Sequence, residues 1–440
     1  MAGFNRRHFL GLAGTAAAAA ALTACAGTGG GAGGGNGNGS GGGNRITFWS
    51  NHPGTSRDVE LELIRRFEAE NDITVQLISA GKNYEDVAQK FNASLAGGEQ
   101  PDVVVLSDVW WFNYALNRQI EPLDAHFSTA GVDADDYVDA LLADYLFDNS
   151  HFALPYARST PLFYYNKDLW EQVGLPDRGP ESWAEFGEWA PELQQAIGNG
   201  RFAHSWGNAV DYLAWTFQGP NWTFGGAYSD EWQLKLTDER TIEAGNWLRD
   251  QIHEARYANV SPDIATDFAA GLCASTIAST GSLSGMMATA TSFEVGTAFL
   301  PRTDAPGCPT GGAGLAIPSG IADERKENAL KFIEFITNAD NTAYFAQNVG
   351  YMPVRKSAAD SAEFAQYLDE NPNARTAVDQ LPFTGPQDYA RVFVPGADQI
   401  LGTGFERIAL QNADVEPTFA DVQNQIQRII DRQIAPSLPR

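Results

Sequence analysis

Predicted strands and helices alternate between residues 45 and 116, and this order constrains the fold more than any other feature of the chain. The strands are marked by alternating or continuous apolar residues, and the helices by apolar residues three or four apart. The predicted strands are residues 46–50, 73–78 and 102–106, and the predicted helices are residues 57–71, 84–95 and 109–116. This repeated strand–helix order predicts a parallel sheet covered by helices on both faces.

The same pattern returns in the rest of the chain, whose length suits two or three domains. Residues 152–165 look extended, and Ser182 and Glu185 have the spacing of a capping box that starts a helix. The further predicted helices are residues 239–255, 323–337, 339–348, 398–411 and 416–434, and the further predicted strands are residues 274–279, 295–300 and 314–318.

Prolines near residues 155 and 318 mark places where the chain crosses between two halves. We therefore predict two α/β lobes joined by more than one crossing. The predicted lobes are residues 45–155 with 310–349, and residues 156–309 with 350–440.

The first 25 residues have the layout of an export signal. Arg6 and Arg7 precede an apolar run that ends in small residues. A short transmembrane anchor is the alternative, but the run is shorter than the roughly 20 residues that a span needs. Leu22-Thr23-Ala24-Cys25 resembles the bacterial lipobox, in which the cysteine is lipidated after the signal, in this chain residues 1–24, is removed. This resemblance implies twin-arginine export and an extracytoplasmic chain tethered through Cys25 and a Gly-rich linker, residues 25–44.

The balance of charge excludes some classes of partner. Lys and Arg total 29 against 55 Asp and Glu, a net charge of −26 that becomes two units more negative when Arg6 and Arg7 leave with the signal. Such a chain lacks the basic face that nucleic acid or a broad anionic membrane surface requires. One small anion could still bind in a locally prepared site.

Two cysteines, Cys273 and Cys308, remain if Cys25 carries lipid. Outside the cytoplasm such a pair can form a disulfide. The alternative is two buried thiols, and the sequence leaves both open.

Motifs of common hydrolytic sites are missing from the sequence. His253-Glu254 lacks the second histidine of a zinc helix, and Leu283 stands where a Gly-x-Ser-x-Gly turn would place its serine. No Gly-Lys-Ser/Thr phosphate loop occurs, so we predict no catalytic residue, no metal and no cofactor. Because the chain has 55 acidic residues, their number does not rule out a catalytic carboxylate pair. A secreted phosphodiesterase or glycoside hydrolase is therefore the alternative function. A structural surface protein is a third possibility.

Several longer phrases carry a resemblance to a known family. Ile46-Thr47-Phe48-Trp49, residues 163–170 and Pro180-Glu181-Ser182-Trp183, together with the lipobox, resemble extracellular solute-binding proteins of carbohydrate-type ABC importers. Within that family, the chain is similar to actinobacterial lipoproteins that bind glycerophosphodiesters or sn-glycerol-3-phosphate. The similar stretches are residues 81–84, 156–162, 215–222, 278–282, 309–314, 350–356 and 388–392.

This resemblance implies a fold and a function. The implied fold is the type II periplasmic-binding-protein fold, two α/β lobes with a hinge and a ligand cleft between them. The implied function is capture of glycerophosphocholine, a related diester or sn-glycerol-3-phosphate, for delivery to the transmembrane permease of an ABC importer. Such a receptor is a monomer and not an enzyme. Another sugar or polyol is the alternative ligand.

The expected ligand-binding residues are Tyr84, Asp108, Ser159, Tyr212, Trp215, Ser279, Gly312, Tyr351 and Arg391. The resemblance places Tyr84 on the ligand and Tyr351 on its phosphate. Asp108 follows a strand, where open parallel sheets bind ligands, and can accept two glycerol hydroxyls. By sequence alone an N-cap of the helix that starts near Val109 is favoured over a ligand group. The resemblance reverses this order, because it implies a ligand contact at this position. Arg391 lies among apolar residues and needs a partner, either the ligand phosphate or a buried acid.

The remaining residues also have two readings. Ser159, Ser279 and Gly312 offer hydroxyls or bare backbone amides to a phosphate, or else serve ordinary turns. Trp215 offers its ring face to a quaternary ammonium or packs in the core, and the same choice applies to Trp110, Trp111 and Trp222. Tyr212 lies in residues 208–213, which depart from the resembling sequences, so the head group of the ligand stays open.

Overall fold

Two five-stranded sheets organise the part of the chain that the structure describes. This computed structural model describes residues 44–52, 55–97, 99–210 and 212–438. The predicted signal, Cys25 and the linker up to residue 43 lie outside this set. These described residues form one compact unit.

Strands and helices follow one another along the whole of this unit. The strands are β1 Arg45–Ser50, β2 Thr74–Ser79, β3 Val103–Ser107, β4 Leu146–Phe147, β5 Ser150–His151, β6 Leu154–Ser159, β7 Pro161–Asn166, β8 His204–Gly207, β9 Ser229–Asp230, β10 Gln233–Leu234, β11 Ala258–Ser261, β12 Ser275–Ser279, β13 Val295–Ala298, β14 Cys308–Pro309, β15 Gly311–Ala316 and β16 Thr384–Gly385. The helices are α1 Thr55–Glu70, α2 Tyr84–Gly97, α3 Trp111–Leu116, α4 Phe127–Ala130, α5 Asp139–Ala143, α6 Lys167–Gln172, α7 Trp183–Ile197, α8 Leu213–Thr216, α9 Gln218–Thr223, α10 Glu239–His253, α11 Ile264–Ala269, α12 Leu283–Thr289, α13 Asp323–Ile336, α14 Ala339–Val349, α15 Lys356–Ala359, α16 Ala362–Glu370, α17 Pro372–Gln380, α18 Tyr389–Val392, α19 Ala397–Gln411 and α20 Val415–Ile429.

The first sheet has the strand order β2–β1–β3–β15–β6. Its first three strands are parallel, as the alternation of strands and helices predicted. The complete sheet is mixed, because β15 runs antiparallel to both β3 and β6. The reversed strand comes from much later in the chain, so the local pattern before residue 116 could not indicate it. Its start, at Gly311 and Gly312, lies at the edge where β3 and β6 end.

The second sheet has the order β11–β8–β12–β7–β13. Strands β11, β8 and β12 are parallel, and β7 runs antiparallel to β12 and β13. The chain passes from the first sheet to the second at Thr160, between the end of β6 and the start of β7. Strand β6 pairs with β15 in the first sheet. The lobe boundaries drawn from the sequence stay a prediction.

Aromatic residues fill the core beside each sheet. In the first, the Phe332 ring lies 5.5 Å from that of Phe48 and 5.2 Å from that of Phe67, both edge to face. In the second, His204 lies within 6.1 Å of both Trp183 and Trp206. Such pairs add a modest stabilisation beyond the burial of their apolar area.

The helix α7 begins as the sequence predicted, but only half of the capping box forms. The Ser182 hydroxyl accepts from the Glu185 amide at 3.1 Å, as a capping serine should. The Glu185 carboxylate accepts from the amide of Glu181 at 2.6 Å, one residue before the expected donor. An ion pair with Arg178, at 2.7 Å, draws the carboxylate to that side.

The two remaining cysteines are free thiols. Cys273 and Cys308 are both buried and unpaired, so the disulfide alternative is wrong. Burial raises the pKa of the Cys273 thiol to about 12 and raises that of Cys308 as well. Both are therefore inert in the neutral form. Among the described residues, no helix combines the length and the apolar character that crossing a membrane requires.

Candidate ligand-binding site

A cavity of about 220 Å³ lies where the ends of strands from both sheets meet. All nine residues predicted to bind a ligand line this cavity. The lining residues are Asn51, Lys82, Asn83, Tyr84, Glu85, Ser107, Asp108, Val109, Ser159, Tyr212, Trp215, Ser279, Gly281, Ser282, Gly311, Gly312, Tyr351, Arg391 and Asp398. The cavity is thus built by residues far apart in the sequence.

Asp108 presents a buried carboxylate to the cavity. It follows β3, and its Oδ2 accepts a hydrogen bond from Gln387 Nε2 at 2.7 Å. Its Oδ1 accepts from Arg158 and, at 3.3 Å, from the Tyr145 hydroxyl. Helix α3 begins three residues later, and its N-cap is Trp110. The N-cap interpretation of Asp108 is therefore wrong, and the carboxylate belongs to the cavity wall.

Arg158 fixes Asp108 from behind and was not among the predicted site residues. Its guanidinium, 0% exposed, donates to both Asp108 and Asp144. Burial raises the pKa of Asp144 to about 7, although the charge on Arg158 opposes this rise. The Thr310 hydroxyl also donates to Asp144, at 2.7 Å. An arginine in β6, a strand whose residues are all buried, was the signal for this network.

Two tyrosines meet across the cavity. The hydroxyl oxygens of Tyr84 and Tyr351 are 3.3 Å apart, and the Tyr351 ring lies parallel to that of Phe345 at 5.8 Å. Gly281 makes room, because a Cβ there would lie 2.8 Å from the Tyr351 ring. Burial raises the pKa of both phenols, so they stay neutral and can donate hydrogen bonds to a ligand.

Arg391 has a part-buried acid beside it, close to one of the two partners expected from the sequence. Its Nε lies 2.7 Å from Oδ1 of Asp398, and its Nη1 donates to Gln387. The same side chain, 5% exposed, lines the cavity. Gln387 in turn donates to Asp108, so one amide joins the two charged residues. The ion pair leaves Arg391 in the wall with further N–H groups to offer.

The predicted small residues lie at strand ends. Ser159 ends β6, and Ser279 ends β12 with its Oγ accepting from the Gly281 amide at 3.1 Å, which is ordinary turn chemistry. Gly312 has a φ of 106°, and a Cβ there would lie 2.0 Å from the Ala157 carbonyl oxygen. Only glycine fits at this position of the wall.

Trp215 and Tyr212 close another side of the cavity. The Trp215 indole donates to the Thr310 carbonyl at 2.9 Å, and its ring lies against Gly311, where a Cβ would be 2.3 Å away. Tyr212 has a φ of 63° and directly precedes α8. The other three tryptophans considered with Trp215 are not among the residues that line the cavity: Trp110, Trp111 and Trp222.

Charged lining residues outside the prediction change the electrostatics of the cavity. Lys82 adds one positive charge, and Glu85 and Asp398 add two carboxylates. Burial raises the pKa of Glu85, and the nearby charge of Asp398 adds to this rise. The described residues contain no group of three or more His, Cys, Asp or Glu side chains that could hold a metal ion. The cavity is therefore suited to a polar organic ligand.

Comparison with known proteins identifies the family. Residues 62–373 match the family described as bacterial extracellular solute-binding protein, and the chain belongs to that family. This membership confirms the prediction of a solute-binding protein of an ABC importer, located outside the cytoplasm.

Individual relatives agree with this membership. The sn-glycerol-3-phosphate-binding periplasmic protein UgpB of Escherichia coli strain K12 is 28% identical over 363 residues, 77% of this chain and 82% of the relative. The crystal structure of UgpB from Mycobacterium tuberculosis in complex with glycerophosphocholine is 59% identical, with a TM-score of 0.86, over 89% of this chain and 99% of that chain. Maltose-bound MalE3 of T. maritima, at 21% identity, has a TM-score of 0.75 over 88% and 99% of the two chains, and shows the fold alone. The predicted type II fold is confirmed.

Proposed function

We propose that this chain captures glycerophosphodiesters, with glycerophosphocholine as the preferred ligand, and delivers them to the permease of an ABC importer. One observation carries the proposal: all nine residues chosen for this ligand line one cavity. A 59% identical protein has been crystallised with glycerophosphocholine, which supports the same ligand class for this chain.

Each part of the ligand has a chemical counterpart in the wall. Asp108 accepts a hydrogen bond from a glycerol hydroxyl. Arg391 and the Tyr351 hydroxyl donate to the phosphate, to which a guanidinium is well matched. Trp215 offers an aromatic face to the quaternary ammonium. Tyr84 adds a hydroxyl, and the strand-end residues Ser159, Ser279 and Gly312 add hydroxyl or amide donors.

The charges in the wall favour a zwitterionic diester over sn-glycerol-3-phosphate, the second candidate. Lys82 and Arg391 face three carboxylates, Glu85, Asp108 and Asp398. A diester with a choline head group brings one negative and one positive charge. A phosphate monoester brings up to two negative charges, which the third carboxylate opposes. The monoester is kept as a candidate because curated relatives are named for it.

We further propose how the receptor is placed and used. Twin-arginine export followed by lipidation of Cys25 would tether a monomer to the membrane, with the Gly-rich linker allowing it to reach its permease. The chain releases its ligand unchanged and is not a phosphodiesterase. The absence of a zinc helix or serine elbow in the sequence supports this part of the proposal.

Titration calorimetry with a ligand panel tests the proposed function. We expect saturable 1:1 binding of glycerophosphocholine, weaker binding of sn-glycerol-3-phosphate, and no heat with maltose. The recovered ligand should be intact by phosphorus NMR. Tighter binding of the monoester would replace the diester as ligand, and release of choline or glycerol phosphate would indicate an enzyme.

A further inference from the structure

Four polar atoms of the described lining residues are buried without a hydrogen-bond partner, and two of them, Arg391 Nε and Asp398 Oδ1, face each other at 2.7 Å as an ion pair. Oδ1 of Asn51 and Oγ of Ser107 are both buried and have no partner within the described ranges. Asn51 is 8% exposed, Ser107 is 6% exposed, and both line the cavity. Buried polar groups are nearly always hydrogen-bonded in native proteins, because leaving them unpaired costs free energy. An unpaired atom that faces a cavity therefore points to a ligand.

The two residues follow neighbouring strands. Asn51 comes directly after β1, and Ser107 is the last residue of β3. These strands are parallel and paired, with Phe48 opposite Val103. Their carboxyl ends therefore lie at the same edge of the first sheet. The free oxygens of Asn51 and Ser107 belong to one corner of the cavity.

A buried cluster holds Asn51 in place from both sides. The Ser50 hydroxyl donates to Glu60 at 2.7 Å, and His52 Nδ1 lies 2.9 Å from the same carboxylate oxygen. The His52 amide also donates to the Ser50 hydroxyl at 3.2 Å. Glu60 is on α1, so the helix fixes the residues before and after Asn51. The backbone at Asn51 is thus fixed before any ligand arrives, which reduces the entropy lost on binding.

The chemistry of the free atoms selects one part of the ligand. An amide oxygen only accepts hydrogen bonds, whereas a hydroxyl both donates and accepts. An ionised phosphodiester has no donor, and neither has a quaternary ammonium. The hydroxyls at the glycerol end are the donors of glycerophosphocholine.

Asp108 alone does not have enough free acceptor positions for both glycerol hydroxyls. Its carboxylate already accepts hydrogen bonds from three protein donors, which belong to Arg158, Tyr145 and Gln387. A carboxylate has about four acceptor positions, so roughly one is left. If one glycerol hydroxyl donates to Asp108, the other needs a different acceptor.

We propose that Asn51 and Ser107 bind the second glycerol hydroxyl: the ligand O–H donates to Asn51 Oδ1, and its oxygen accepts from the Ser107 hydroxyl. This inference rests on the proposed function and assigns the glycerol end to this corner. Asn51 and Ser107 then discriminate a glycerol from a propanediol in the same position.

Calorimetry with two deoxy analogues tests the assignment. The ligands are glycerophosphocholine and the phosphocholine esters of 1,2-propanediol and 1,3-propanediol, each lacking one glycerol hydroxyl. We expect Asn51→Leu to weaken glycerophosphocholine about tenfold, the value of one hydrogen bond. The Asn51→Leu variant should bind one of the two analogues, the one that lacks the hydroxyl assigned to Asn51, as tightly as the wild type does. Asn348→Leu, an exposed asparagine on α14, is the matched control and should bind all three normally.

Unfolding without ligand separates a binding role from a structural one. Because Asn51→Leu and Ser107→Ala remove unpaired buried polar atoms, each variant should melt at the wild-type temperature or above it. Lower melting temperatures with unchanged discrimination among the ligands would make these residues structural and overturn the inference. Equal losses for all three ligands would assign Asn51 to the phosphate and overturn it as well. If the wild type fails to bind glycerophosphocholine at all, the proposed function itself is wrong.

Discussion

The tripeptide Tyr-Ala-Arg occurs twice beside the cavity, and its two arginines have different surroundings. Arg158, on strand β6, is fully buried between Asp108 and Asp144 and is not among the cavity-lining residues. Arg391, on helix α18, pairs with Asp398 and lines the cavity. One guanidinium is enclosed by two carboxylates of the protein, and the other has one carboxylate and an open side.

This difference separates a structural arginine from a ligand-binding one. A buried charge must be paired, and Arg158 is paired with two carboxylates at a place that does not line the cavity. Arg391 pairs with a single carboxylate, that of Asp398, and can bind a ligand phosphate as well. Gln387 links the two arginines through Asp108. It accepts from Arg391 and donates to Asp108, which also accepts from Arg158. The comparison predicts that the first arginine governs stability and the second governs affinity.

The largest expected effect is on stability, at Arg158. Arg158→Met leaves Asp108 and Asp144 buried without their shared cation, which should lower the free energy of unfolding by about 3–5 kcal/mol. Urea unfolding measures this change. Arg240→Met, which removes an exposed arginine paired with Asp304, is the control and should change little. A wild-type urea midpoint for Arg158→Met would contradict the structural role.

The next effect is on affinity, at Arg391. Arg391→Ala should weaken binding of glycerophosphocholine by about 2–4 kcal/mol, because it removes one side of a desolvated charge pair. Arg391→Lys should recover only part of the loss, since a point charge cannot replace the planar fork. If calorimetry finds Arg391→Ala, correctly folded, as tight a binder as the wild type, the arginine is structural like Arg158.

A smaller effect concerns the head group. Trp215→Ala should reduce affinity for glycerophosphocholine more than for a diester with a neutral head, by about 0.5–2 kcal/mol, because only the cation interacts with the ring face. Trp215→Phe keeps an aromatic face and should keep most of the preference. Parallel titrations with both diesters give the difference directly. Identical losses for the two would restrict Trp215 to packing against Gly311.

The last expected effect is a pH dependence of stability carried by Asp144. Burial raises its pKa to about 7, well above the usual value in an unfolded chain. Between about pH 4 and 7 the folded state therefore holds more protons, and the free energy of unfolding should fall as the pH rises through this window. Asp144→Asn should reduce the difference between the free energies of unfolding at pH 4.5 and pH 7.5, both measured by urea unfolding. An unchanged slope would show that Arg158 keeps Asp144 ionised throughout.

Nine of the lining residues could be predicted from the sequence, but most of their supports could not. Residues such as Tyr84 and Arg391 lie in phrases shared with a known family, so the resemblance carried them. Arg158 lay in one of the same phrases, yet its partner Asp144 is distant in the chain and carries no local signal. Asn51 was within reach, because it follows a strand just as Asp108 does.

The fold shows the same division between local and distant information. Strands β1 to β3 and helices α1 and α2 follow from periodicity. Strand β8 was not predicted, because polar residues interrupt its pattern. There, His204 lies 3.0 Å from the Ser275 hydroxyl of the neighbouring strand, a partner that only the sheet supplies. The reversed strand β15 likewise depends on pairing with β3 and β6.

A crystal structure of this protein with glycerophosphocholine tests the division of roles between the two arginines most directly. We predict the ligand in the described cavity, with its phosphate hydrogen-bonded to Arg391 and with Arg158 still between Asp108 and Asp144. A phosphate held elsewhere while Arg391 contacts only Asp398 and Gln387 would contradict this prediction, and so would Arg158 turning from its carboxylates to the ligand.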